Sequence, residues 1–127
     1  MLQNALELSE KAIALGEDLM GAEDPKLGDF YNTHATNLRR IARFEEALVY
    51  SDKCTFILEK AYEPTHYELG IVYYNRAIIL YELADLSGAK SFISRALEIL
   101  KTAFKEQDNH TYLKEVDYAY RKIFEIN

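Results

Sequence analysis

Three histidines, one cysteine and a few carboxylate pairs are the residues of this 127-residue chain whose types could support metal binding, proton transfer or nucleophilic attack. A metal needs three or four donors converging on one point, and acid–base work needs a partner within hydrogen-bond reach. Neither H-E-x-x-H nor C-x-x-C occurs, and glycine-rich phosphate loops and a G-x-S-x-G elbow are absent too. Cys54 is the single cysteine, so it forms no intramolecular disulfide and no multi-cysteine zinc site, which fits a reducing compartment. Glu17-Asp18 and Glu45-Glu46 are adjacent pairs. On a helix such neighbours point about 100° apart and share no pocket. The sequence therefore predicts no catalytic residue, no metal site and no cofactor, and the chain is not read as an enzyme.

Composition narrows the remaining classes. With 49% hydrophobic and 28% charged residues the chain reads as one ordinary globular domain, 1–127, able to bury a core without disulfide or metal staples. Its 15 bases against 21 acids give a net charge of -6, and the only basic cluster is Arg39, Arg40 and Arg43. An acidic protein gains no counterion-release affinity, so nucleic acid is not expected as a partner. No apolar run approaches the roughly 20 residues that span a bilayer, and the first dozen residues carry acids where a signal peptide carries bases. No membrane association and a cytoplasmic location are the expectations.

The elements that must position any site follow from an internal repeat. Ala5, Ala47 and Ala89 stand 42 residues apart, and sliding residues 5–46 onto 47–88 gives 11 identities without a gap. Among them are Leu6 with Leu48, Lys11 with Lys53, Gly28 with Gly70, Tyr31 with Tyr73, Ala35 with Ala77 and Ala42 with Ala84. A third copy starts well, with Lys53 on Arg95 and Ile57 on Ile99, and decays after residue 110. The repeat units are thus about 5–46, 47–88 and 89–127.

Within each unit the apolar residues recur three and four apart, as in Phe92, Ile93, Ala96, Leu97 and Leu100, and strand-like alternation is absent. The breakers Asp24-Pro25, Pro64-Thr65 and Asp108-Asn109 mark long connections, and Ala42-Arg43 and Ala84-Asp85 mark tight turns. This predicts helices over about 2–21, 27–41, 44–62, 66–83, 86–105 and 110–125. The histidines fall at unlike phases: His34 within a helix, partly filling a core position, and His66 and His110 at helix starts. Cys54 takes the place of Ala12 and Ala96 and reads as a small buried residue. Ala35, Ala47, Ala77 and Ala89 let helices cross closely, and a large side chain there would overpack the core.

The stretch from Tyr74 to Ala89, followed by Ser94-Arg95-Ala96-Leu97-Glu98-Ile99, resembles the tetratricopeptide repeat in its 42-residue form, found in kinesin light chains and many bacterial multidomain proteins. Arg43-Phe44-Glu45-Glu46-Ala47 repeats its turn signature, and Leu19 to Pro25 resembles its long linker. Departures are His34 and Arg76 where the family prefers leucine, the lack of tryptophan, and a shifted apolar phase in the last helix. The resemblance implies an all-α, right-handed α-solenoid of about six antiparallel helices. It opens on a second helix and closes on a first helix, as a segment of a longer array or as a chain that completes itself as a homodimer through unpaired terminal helices.

The resemblance also implies a concave groove lined by the first helix of each pair. Carried over residue by residue, its partner-binding positions include Asn32, Thr36, Arg39 and Arg40 on one helix and Tyr74, Asn75, Ile78 and Tyr81 on the next. The last helix would add Leu113, Val116, Asp117, Tyr120, Ile123 and Phe124. Tyr74, Ile78 and Tyr81 share a face at i, i+4 and i+7, suited to an apolar anchor, while Arg39 or Arg40 takes a carboxylate. Asn32 and Asn75 would clamp the partner's backbone. The expected function is a scaffold or adaptor that binds a peptide or helix of a partner protein. The alternative is a ligand-responsive bacterial regulator sensing a short signalling peptide.

Overall fold

The computed structural model describes residues 2–104 and 111–125, with side chains from Asn4 onward. Among the described residues there are six helices: α1 (Leu2–Leu19), α2 (Pro25–Arg40), α3 (Phe44–Ala61), α4 (Tyr67–Glu82), α5 (Leu86–Ala103) and α6 (Thr111–Ile123). No strand occurs among the described residues. The expected turn at Asp108-Asn109, the helix-starting role of His110 and the predicted end of the fifth helix at residue 105 lie outside them. The chain divides into two compact units, Met1–Glu63 and Pro64–Asn127. In the first, α1 packs on α2 and α2 on α3; in the second, α4 packs on α5, α5 on α6, and α4 touches α6.

Local chemistry explains where these helices start. Asp24-Pro25 is not merely a breaker: the Asp24 side chain accepts from the Lys26 backbone N–H at 2.9 Å, and Pro25 occupies the first turn. Proline lacks an N–H that would be orphaned there anyway, so α2 begins at Pro25 and not at residue 27. His66 caps α4 in the same manner, its Nδ1 accepting from the Glu68 N–H at 3.1 Å. Asp85 caps α5 through the Gly88 N–H at 3.0 Å.

The two tight turns are built alike. Ala42 and Ala84 take left-handed backbone, with φ of 62° and 64°. The N–H of Arg43 donates to the Leu38 carbonyl and that of Ala42 to Arg39, while Asp85 and Ala84 donate to Leu80 and Tyr81. This six-to-one plus five-to-two pattern satisfies helix-end carbonyls and reverses the chain in a few residues. A residue with a Cβ pays about 1–2 kcal/mol for that conformation, which the surrounding packing offsets.

Each hairpin closes on small residues. Ala35, Ala47, Ala77 and Ala89 are fully buried. A Cβ on Gly28 would lie 3.0 Å from Leu58 Cδ2, and one on Gly70 only 2.7 Å from Leu100 Cγ. Beside these contacts stands a repeated aromatic stack with a cation on it. Tyr31 and Tyr50 lie 5.9 Å apart with the Lys53 ammonium 5.5 and 5.2 Å from their ring centres. Tyr73 and Phe92 lie 5.3 Å apart with the Arg95 guanidinium at 4.3 and 5.4 Å. Cations over aromatic faces are attracted by the ring quadrupole, so the stack ties the second helix of each hairpin to the first.

Candidate protein-binding site

In the second unit, Tyr74, Ile78 and Tyr81 of α4 face Thr111, Lys114, Tyr118 and Lys122 of α6 across an open cavity of about 420 Å³. Ala119 and Ile123, both buried, close its floor. The Tyr74 ring meets Tyr112 edge-on, with centres 5.3 Å apart, and so is held in place by its neighbour. The Lys122 ammonium sits 5.9 Å from the Tyr81 ring centre. Tyr118 is 70% exposed, too much for a ring that serves only the core. Glu82 and Glu115 place carboxylates on the same rim as Lys114 and Lys122, giving apolar walls and a rim of both charges. An aliphatic or aromatic side chain buried there would contribute about 1.5–3 kcal/mol.

Asn75 is on α4 as well, but it is buried and does not line this cavity. The remaining sequence-predicted residues lie on α2 in the first unit. Asn32, Thr36 and Arg39 are half-buried and Arg40 is exposed. The Thr36 hydroxyl already donates to the Asn32 carbonyl at 2.9 Å. The structure thus gathers Tyr74, Ile78 and Tyr81 at one cavity and leaves the polar four on a separate helix face.

A buried polar cluster in the first unit escaped the sequence reading. The Ser9 hydroxyl donates to the Leu6 carbonyl at 3.0 Å and lies 2.7 Å from His34 Nδ1 and 3.1 Å from the Asn37 amide, which also donates to the Ala5 carbonyl at 3.1 Å. With its proton on Leu6, Ser9 accepts from both partners, so Nδ1 carries the His34 proton. Burial holds the His34 pKa below its ordinary value. Nearby, the Tyr31 hydroxyl donates to Glu17 at 2.7 Å; burial and that carboxylate push its pKa up to about 12. Among the described residues no group of three or more His, Cys, Asp or Glu is placed to hold a metal ion. Nor is any described helix long and apolar enough to cross a membrane.

A family model described as tetratricopeptide repeat matches residues 30–102, more than half of the chain. The chain belongs to the tetratricopeptide repeat family. A solved structure from Podosopora anserina, described as kinesin light chain nearly identical TPR-like repeats, is similar with a TM-score of 0.86 at 16% identity over 99% of this chain. At that identity the likeness carries the fold alone, an all-α repeat solenoid in class. The chain spans 59% of the length of that structure. No curated protein matches the sequence.

In tetratricopeptide terms α2, α4 and α6 are first helices and α3 and α5 second helices. The period of 42 misplaces α6, however. It would set Val116 where Tyr74 is and Ile123 where Tyr81 is, yet both are buried. An offset of 44 instead sets Val116 on Val72 and Ile123 on Ile79, all four buried, and Tyr118 on Tyr74. The cause is the connection: seven residues separate α5 from α6, against five between α1 and α2 and between α3 and α4. Of the six positions first expected in the groove, five on α6 and Phe124 just beyond it, only Ile123 lines the cavity. Asp117 and Tyr120 line a different one, with Ser94, Leu97 and Arg121 among its walls. The Val-x6-Ile spacing common to 72–79 and 116–123 was the available signal.

Proposed function

We propose that the chain is a non-catalytic adaptor that binds a segment of a partner protein, with the α4/α6 cavity as the seat of its apolar anchor. The family's repeats mediate protein–protein interaction. The observation that carries the reading is the exposed Tyr118 facing Tyr74, Ile78 and Tyr81 across an open space large enough for a bulky side chain. The rim of two lysines and two glutamates gives either charge on the incoming segment a partner, which favours orientation over bulk electrostatic attraction. Arg39 and Arg40 on α2 are assigned a separate carboxylate contact. Affinity capture from the source cells, with wild type beside a Tyr81→Ala, Tyr118→Ala variant, tests the seat. A protein retained by wild type alone supports it, and equal retention by both moves the site to another face.

A further inference from the structure

Helix α3 presents two large apolar side chains to solvent where the matching helices of the other copies do not. Val49 is 50% exposed and Phe56 60%. One period earlier the same places hold Glu7 and Ala14 on α1, and one period later Ser91 and Glu98 on α5, all four exposed. The repeat plan thus turns these positions outward in every copy, and a large apolar pair stands there only on α3. The Phe56 ring is also held in place. The Lys60 ammonium lies 4.3 Å from its centre and pairs with Glu23 at 3.1 Å. Beside the ring opens a cavity of about 400 Å³, with Ala22, Tyr31 and Ile57 in its walls.

The charges on this face change sign from one end to the other. With successive residues about 100° apart, Val49 and Phe56 fall within about 10° of the centre of the exposed face and Glu45 and Lys60 within about 30°. Asp52 and Lys53 stand about 50° to either side, and Glu46 and Glu59, about 70° off, lie outside it. Turned end for end, the central line is its own complement: Val49 falls on Phe56 and Glu45 on Lys60, each pair centred between residues 52 and 53. A parallel copy would instead set Glu45 on Glu45 and Lys60 on Lys60.

We propose that this face of α3 is the contact between two copies of the chain, packed antiparallel about a twofold axis. Val49 of the second copy enters beside the Phe56 ring at the mouth of the cavity, and Glu45 of the second copy meets Lys60. Each contact then occurs twice, as in any twofold interface. The opposed charges set the direction of pairing more than its strength. Asp52 stands beside the axis on one margin and faces its own symmetry mate, which opposes the contact. One helix face per copy also buries well under the roughly 800 Å² per partner of a standard interface. The dimer is therefore weak and forms only as concentration rises. It shares no residue with the α4/α6 cavity, and the two readings stand or fall separately.

Sedimentation equilibrium of the full chain, from micromolar to millimolar loading, is the test. A reversible monomer–dimer equilibrium is expected. Phe56→Asp should weaken it at least about tenfold, and Asp52→Asn should tighten it by about two- to fivefold. Both positions are exposed, so the fold survives either change, checked by an unchanged melting temperature in dilute solution. Oxidation of a Val49→Cys chain mixed with a Phe56→Cys chain should give a disulfide between the two that neither forms alone. Cys54 is fully buried and takes no part. A monomer at every loading overturns the proposal, as does a dimer indifferent to Phe56→Asp or a disulfide formed within either variant alone. A dimer that Leu15→Gln dissolves and Phe56→Asp does not overturns it too, because the contact would then lie on α1.

Discussion

The hairpins α2–α3 and α4–α5 are copies of one plan executed with different side chains. Both turn on a left-handed alanine and both stack a cation over two rings. They diverge where the copies face the rest of their units. Positions 34, 37 and 51 hold His, Asn and Ser in the first hairpin; positions 76, 79 and 93 hold Arg, Ile and Ile in the second. Asn37 and Ser51 are buried, as are Ile79 and Ile93. The Arg76 guanidinium lies 4.9 Å from the Phe92 ring centre, in the place where His34 meets Tyr50 edge-on at 4.6 Å. The backbone plan therefore tolerates either polar or apolar filling, and a buried polar atom that finds no partner weakens it.

The largest test of that condition is a pair of serines 42 residues apart. Ser9 joins His34 and Asn37, whereas the Ser51 hydroxyl is buried with no hydrogen-bond partner among the described residues. Ser9→Ala should cost about 2 kcal/mol, since it strips two buried donors of their shared acceptor. Ser51→Ala removes only an orphaned hydroxyl and should be neutral or raise stability by about 0.5–1 kcal/mol. Thermal melts of the two variants decide it. Equal losses would show that the cluster contributes nothing beyond packing.

The glycines sharpen the comparison next. Alanine improves helix propensity by about 1 kcal/mol at either site, so the steric term sets the sign. At Gly70 the new Cβ would come within 2.7 Å of Leu100, a fully buried residue, and at Gly28 within 3.0 Å of Leu58. Gly70→Ala should lose about 1–2 kcal/mol and Gly28→Ala should stay close to wild type. Denaturant midpoints that rank the two the other way would mean that α2–α3 is the tighter hairpin.

Much of this plan was legible because it is periodic. Eleven identities at 42 residues locate both hairpins, both alanine turns and the small crossing residues. What was not legible depends on single local events. Asp24-Pro25 looks like a breaker until its cap is seen, and two additional connecting residues rotate α6 so that Tyr118 and Lys122 replace Val116 and Tyr120 at the cavity. The Ser9–His34–Asn37 cluster joins residues 25 and 28 positions apart, which no local pattern announces. The alanine turns offer a smaller test of the part that was read correctly. Ala42→Gly and Ala84→Gly relieve left-handed strain but free the unfolded chain, leaving a net gain of about 0.5–1 kcal/mol each. A lowered melting temperature in either would contradict the turn geometry.

The smallest expected difference between the units is their response to acid. Burial lowers the His34 pKa; Glu10 opposes the shift, Arg43 adds to it and Glu46 opposes it again. In the window between the folded value and the ordinary one near 6.5, the unfolded chain binds the proton that the folded chain refuses. The stabilisation is therefore complete above that ordinary value, fades as pH falls through the window, and stays lost below the folded pKa. Because Arg76 occupies the matching place in the second unit, the effect belongs to the first. Melting temperatures between pH 7.5 and 5.0 should fall for wild type and fall less for His34→Gln. Hydrogen exchange should place the loss in α1 and α2, where protonation adds a charge beside the Ser9 hydrogen bonds. Parallel pH profiles for the two proteins would show that another group carries the acid sensitivity, and that the polar filling of the first hairpin is as indifferent to pH as the apolar filling of the second.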